Sequence, residues 1–179
     1  MNDIQQKLTE IPADGHKLLL VVRHAKSSWE TSSLNDFERP LNDRGKKDAP
    51  MMAKRLIDKK IMVDAFVSSP AKRAKKTAEL FCEAYDKPGE TIEYVSMLYQ
   101  APEEVFLAVV EQLNNSLNTV ALFSHNPGVT DFVNSLTDEM KIDNMPTCGI
   151  FALQVQLKKW VDFKKAKKEF IFLDYPKLV

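Results

Sequence analysis

The chain has 179 residues, 44% of them hydrophobic, with 25 Lys and Arg balancing 25 Asp and Glu. That size and apolar content suit one globular domain with its own core and exclude a disordered chain. The zero net charge gives no global pull toward nucleic acid or an acidic membrane. No apolar run approaches the ~20 residues of a membrane span.

The N-terminal stretch, residues 1–16, is polar, lacks the apolar centre of a signal peptide, and reads as an arm ahead of a domain over residues 17–179; a cytoplasmic location is expected. Lys17-Leu-Leu-Leu-Val-Val22 is apolar nearly throughout, as a strand buried on both faces would be, and it stops at Arg23-His24. Residues 25–42 are polar and irregular. Asn42 then serves as N-cap for a helix whose inner face carries Ala49, Met52, Ala53, Leu56 and Ile57, with Pro50 in or near its first turns. Asp64 to Ser68 forms a second strand, and Ser69-Pro70 opens a helix to about Tyr85. Lys72, Arg73, Lys75 and Lys76 crowd the start of that helix, where its dipole disfavours cations. Glu90 to Val95 reads as a third strand. A helix from Ala101-Pro102-Glu103-Glu104 to about Asn114 follows, then a buried strand Thr119 to Phe123 ending at Ser124-His125-Asn126-Pro127. One more helix carries Val129, Phe132, Val133 and Leu136. Strands at Gly149 to Leu157 and Glu169 to Leu173 flank Lys158 to Lys168, which reads as a solvated hairpin connection. Strands alternating with helices predict a single α/β domain, a mostly parallel central sheet flanked by helices.

Chemistry concentrates at strand ends. His24 follows one buried strand and His125 another, Arg23 adjoins His24, and Arg73 lies in the first turn after the second strand. Ligands of open parallel sheets bind beyond the carboxyl ends of the strands, so these four side chains are expected at one rim. Two arginines and two histidines beside a helix N-terminus make an anion site, and arginine forks suit phosphate. A single strand-end histidine is ordinarily just a satisfied polar residue, and His16 is read that way. Lys72, Lys75 and Lys76 read as a solvated face. Cys82 and Cys148 lack metal or disulfide spacing and read as small buried hydrophobes. Nothing in the rim set calls for a metal or cofactor.

Val22-Arg23-His24-Ala25-Lys26-Ser27 resembles the Arg-His-Gly signature of the histidine phosphatase superfamily (phosphoglycerate mutase-like), with alanine for glycine as in its SixA-like phosphohistidine phosphatase branch. The resemblance continues through Arg39-Pro40-Leu41-Asn42-Asp43-Arg44-Gly45, Ser68-Ser69-Pro70-Ala71-Lys72-Arg73-Ala74-Lys75-Lys76-Thr77-Ala78 and Ser124-His125-Asn126-Pro127, in the family order over residues 17–130. It implies a metal-independent phosphatase working through a phosphorylated His24. Arg23, Arg73 and His125 would hold the phosphoryl oxygens, with Arg39 and Asn126 also lining the phosphate site and Lys26 and Ser28 as rim contacts. Where ester-cleaving relatives carry a general-acid glutamate in the pattern Leu-x-Glu, this chain has Leu98-Tyr99-Gln100. Protein phosphohistidine is therefore the expected substrate. The alternatives are a phosphatase of a small phosphomonoester, with Asp36, Glu38 or Glu103 as acid, and a phosphoprotein-binding module without turnover. The expected partner is a phosphorylated protein or small phosphorylated molecule, not nucleic acid or membrane.

Overall fold

The computed structural model describes residues 12–29 and 35–178, so most of the expected arm lies outside the described residues. Its last residues are tied to the domain: the Ala13 amide donates to Gln154 Oε1 at 3.0 Å.

Six strands form one sheet in the order β3-β2-β4-β1-β5-β6. They are β1 (Lys17–Arg23), β2 (Ala65–Ser68), β3 (Ile92–Tyr94), β4 (Thr119–Ser124), β5 (Ile150–Val155) and β6 (Lys168–Asp174). Pairings β1–β4, β2–β4 and β2–β3 are parallel, and β1–β5 and β5–β6 are antiparallel. Four helices, α1 (Asp43–Asp58), α2 (Lys72–Ala84), α3 (Glu103–Glu111) and α4 (Gly128–Leu136), cover the two faces.

The period of two along each strand sorts the core into two layers. Leu18, Leu20 and Val22 face α1 and α2, packing with Met52, Leu56, Phe81 and Phe123. Leu19 and Val21 face the other way, toward α3 and α4, with Phe106, Val110, Phe132 and Val133. β1 and β4 are buried on both sides, which is why their sequences are apolar at almost every position.

Asn42 caps α1 as expected, its side chain accepting from the Gly45 amide at 2.9 Å. Pro50 lies deeper than expected, well inside α1. β3 is shorter than the predicted strand, because the Pro88-Gly89 turn winds residues 89–91 into a 3-10 turn first. The connection from Lys158 to Lys168 differs most. Its lysines are largely exposed, but Trp160 and Phe163 are fully buried and close the end of the core beside Phe132. Spaced three apart across a 3-10 turn, they point to one side while the cations face water. Cys82 and Cys148 are both buried, and burial pushes their thiols up, Cys82 to about 11. Among the described residues no helix is long and apolar enough to cross a membrane.

Candidate active site at the switch point of the sheet

β1 and β4 are neighbours, parallel, and in register from Leu18↔Thr119 to Arg23↔Ser124. After β1 the chain turns to α1 on one face, and after β4 to α4 on the other. The two connections part above the strand ends and leave a crevice. His24 and His125, each the next residue after its strand, meet there with ring centroids 5.1 Å apart. The His24 amide donates to the Ser124 carbonyl at 3.0 Å, extending the ladder one step past both strands. A cavity of about 260 Å³ opens over them. Arg23, Arg73, Arg39, Asn126 and Lys26 line it with the two histidines, so the expected rim set is brought together.

The His24 ring is oriented from below. Its Nδ1 lies 2.7 Å from the Ala25 carbonyl, an acceptor only, so Nδ1 carries the proton and Nε2 keeps its lone pair. Arg73 Nε donates to that Nε2 at 3.2 Å. Thr77, one turn along α2 from Arg73, accepts from the Ala25 amide and donates to the Arg73 carbonyl, tying the two catalytic candidates to one hydroxyl. Burial first, then the nearby His125, Arg73 and Arg23, hold the His24 ring well below its ordinary pKa and therefore neutral.

His125 is fixed through Ser69. The Ser69 hydroxyl accepts from the Ala71 amide at 3.3 Å and lies 2.8 Å from His125 Nε2. The hydroxyl oxygen has lone pairs for both the amide and a ring N–H, so Ser69 fits either tautomer; with the hydroxyl donating to Nε2, the proton of His125 sits on Nδ1. Among the described residues His125 Nδ1 is buried without a partner, as is Arg23 Nε–H, and with the proton on Nδ1 both are orphaned donors. Arg23 NH1 is meanwhile anchored on the Met145 carbonyl at 2.5 Å. Two orphaned donors beside one lone-pair nitrogen are what a phosphoryl group requires of a site, and leaving such donors buried and unpaired costs about 1–3 kcal/mol each.

Burial, reinforced by Arg73 and Arg23 and only partly opposed by Asp36, brings His125 down to about 3. Both rings are thus neutral when folded and take up protons near 6.5 when unfolded. The unfolded chain binds more protons below that pH, so stability falls as pH is lowered from 6.5 toward about 3. The slope should approach ~1.4 kcal/mol per pH unit for each ring. Thermal melts across this window should show the decline, and His125→Asn should make it shallower. A wild-type profile flat from neutrality to pH ~4.5 would contradict the assignment.

Asp36, which the sequence offers as a possible proton donor, has another position. One oxygen accepts from Arg39 at 2.8 Å, and the other from Arg73 NH2 and the Tyr99 hydroxyl, each at 2.9 Å. Partial burial tends to raise its pKa, but the hydrogen bonds from Tyr99, Arg39 and Arg73 outweigh that and hold the carboxyl at about 2. It is a fixed anion that sets two guanidiniums. Among the described residues it is also the one carboxylate lining the cavity. Glu38 is exposed on the far side of that turn, and Glu103 and Glu104 open α3 in solvent, away from the cavity. Gln100 does line it, beside the Tyr99 hydroxyl at 3.3 Å.

Arg39 is buried and heavily engaged: with Asp36, with Ser27 Oγ at 2.6 Å, with the Ser28 carbonyl at 3.2 Å, and stacked on the Trp29 ring. It shapes the loop after His24 while facing the cavity. Asn126 spends its amide hydrogens on Asn144 and the Met145 carbonyl, so its side chain braces the Met145 loop more than it offers donors to the cavity. His16 stays at the opposite end of β1, against the Asp14 carbonyl.

The site thus contains working parts that sequence reasoning gave no role: Ser69, Thr77, Tyr99 and the Met145 carbonyl. Ser69 and Thr77 lie within a motif block, and Thr77 is one helical turn from Arg73, which was a readable signal. Tyr99 and Met145 reach Asp36 and Arg23 only through loop paths that no local pattern encodes.

Residues 19–96 match the Histidine phosphatase superfamily (branch 1). An uncharacterized protein of Mycobacterium tuberculosis is 29% identical over 150 residues, 79% of this chain and 90% of its own. The structure of a protein histidine phosphatase SixA complexed with tungstate superposes with a TM-score of 0.74 at 22% identity, covering 89% of this chain and 97% of the other. A SixA candidate phosphohistidine phosphatase of Agrobacterium tumefaciens does so at 0.74 and 24% identity, over 89% and 98%. At such identities these likenesses show the shared fold.

Proposed function

We propose that this chain, whose residues 19–96 match the histidine phosphatase superfamily, hydrolyses phosphohistidine on proteins through a phosphorylated His24. The reading is carried by one observation: the single carboxylate among the described lining residues is Asp36, held ionised by two arginines and a tyrosine.

His24 Nε2 attacks phosphorus as the bond from phosphorus to the substrate's imidazole nitrogen breaks. The imidazole leaves with a proton taken from solvent, and Nδ1–H against the Ala25 carbonyl steadies the charge that develops on the His24 ring. Arg73 Nε–H, which rests on Nε2, passes to a phosphoryl oxygen. Arg23 Nε–H and His125 Nδ1–H supply the other fixed donors, positioned before charge develops. Water then attacks the phosphorylated ring, releases inorganic phosphate and restores His24.

An alkoxide leaving group needs a proton from a positioned acid, help typically worth ~10²–10⁴-fold. An imidazole, with a conjugate acid near ~6.5, does not. Gln100 cannot supply that proton, and ionised Asp36 cannot either. We expect kcat/KM to fall in the order phosphohistidine, nitrophenyl phosphate, sugar phosphate. Gln100→Glu should raise activity on the sugar phosphate more than on phosphohistidine. A wild-type preference for the alkyl ester would overturn the substrate reading.

A further inference from the structure

Helix α2 begins with cations where acids are favoured. Its first turns hold Lys72, Arg73, Lys75 and Lys76, no acid lies there, and its N-cap Ala71 makes no side-chain hydrogen bond. Each cation near an exposed N-terminus opposes the helix dipole. Arg73 has its explanation in the cavity. The lysines do not, since none of them lines it.

They line a second hollow instead, about 510 Å³, between the 3-10 turn Asp36–Glu38, the start of α1 and the start of α2. Its apolar surface comes from Phe37, Pro40, Leu41 and Pro70. Lys46 joins the three lysines around it, against the carboxylates of Glu38 and Glu79. Lys76 faces Glu79 at 3.2 Å and Lys46 faces Asp43 at 3.4 Å. Lys72 and Lys75 are exposed and pair with no carboxylate among the described residues; Lys75 Nζ rests 5.2 Å over the Tyr94 ring. The balance is positive, with an apolar base.

This hollow and the catalytic cavity share a wall. Phe37 follows Asp36, Pro40 follows Arg39, and Lys72 precedes Arg73, the first of each pair of neighbours facing one space and the second the other. A polypeptide that offers a phosphorylated side chain to His24 and continues over this wall enters the lysine-rimmed hollow. We propose that the hollow docks an acidic segment of the phosphorylated protein substrate, with carboxylates at Lys72 and Lys75 and an apolar side chain on Phe37 and Leu41. The proposal rests on the reading of His24 as a centre for protein phosphohistidine.

The test compares two phosphohistidine peptides, one flanked by glutamates and one with glutamines in their place, and free phosphohistidine. The wild type should favour the glutamate peptide by about tenfold in kcat/KM, through KM, with the preference fading as salt rises. The double variant Lys72→Glu, Lys75→Glu should lose that preference and leave free phosphohistidine turnover unchanged. It should also fold, because acids in a first turn agree with the helix dipole. A wild type indifferent to peptide charge, or a double variant that keeps the preference, overturns the docking site alone. A variant that changes the oligomeric state while keeping the preference assigns the hollow to a second copy of the chain and overturns it equally. Failure to turn over either peptide or free phosphohistidine, with nitrophenyl phosphate still hydrolysed, refutes the substrate reading and the docking site with it.

Discussion

His24→Ala should reduce kcat by about 10⁴-fold or more while leaving the circular dichroism spectrum unchanged. The size follows from the role: without Nε2 there is no covalent route, and water would have to attack the substrate directly among the same arginines. The fold should survive because His24 sits past the end of β1, and the core layers on both faces of the sheet do not include it. What remains is the cavity with its guanidiniums, so the variant should still bind vanadate or tungstate and melt at higher temperature in their presence. Rapid quench of the wild type should trap a phosphoenzyme that is acid-labile and stable in base, as a phosphoramidate is, and the variant should trap none. Near-normal turnover by His24→Ala would sink the mechanism.

Gly128→Ala should be strongly destabilising for the addition of a single methyl group. An added Cβ would stand 1.9 Å from the Ala101 carbonyl oxygen and 2.9 Å from Phe106 Cε2. The first is backbone, so α4 must move away from the loop before α3, and α4 carries Val129, Phe132 and Val133 into the core. Displacing a packed helix in this way costs about 3–5 kcal/mol, which for this chain length lowers Tm by about 10 °C or more. Because Gly128 follows the His125-Asn126-Pro127 turn, activity should fall along with stability. Gly89→Ala is the matched control: no atom lies within 4 Å of its added Cβ, and it should melt like the wild type. Equal melting temperatures for the two variants would refute the close approach.

The two outcomes mark how far the sequence could be read. β1 and β4 were legible because burial on both faces leaves an apolar run that ends abruptly, and the polar residues at each stop became His24 and His125. Arg73 was legible as a cation placed where a helix resists one. Trp160 and Phe163 were not, because two aromatics among lysines carry no period long enough to separate a plugged core from a solvated turn. The role of Asp36 was hidden for a different reason. As a residue type it fits a proton donor, and only its three partners, drawn from separate elements, fix it as an anion. Tyr99 and Met145 meet Asp36 and Arg23 through turns whose course is set by tertiary packing.

The anchor of Arg23 has a consequence for how the chain comes off the ribosome. Arg23 and the Met145 carbonyl that holds its guanidinium are 122 residues apart. The sheet neighbours of β1, which are β4 and β5, also lie more than 90 residues downstream of it. At ~5–20 residues per second, β1 and the His24 pair wait about 6–24 s before their anchor is synthesised. During that interval the most apolar segment of the chain has no sheet to join. A chain stopped near residue 140 would hold every motif block and still lack an oriented Arg23, so catalysis should appear only once translation has passed Met145.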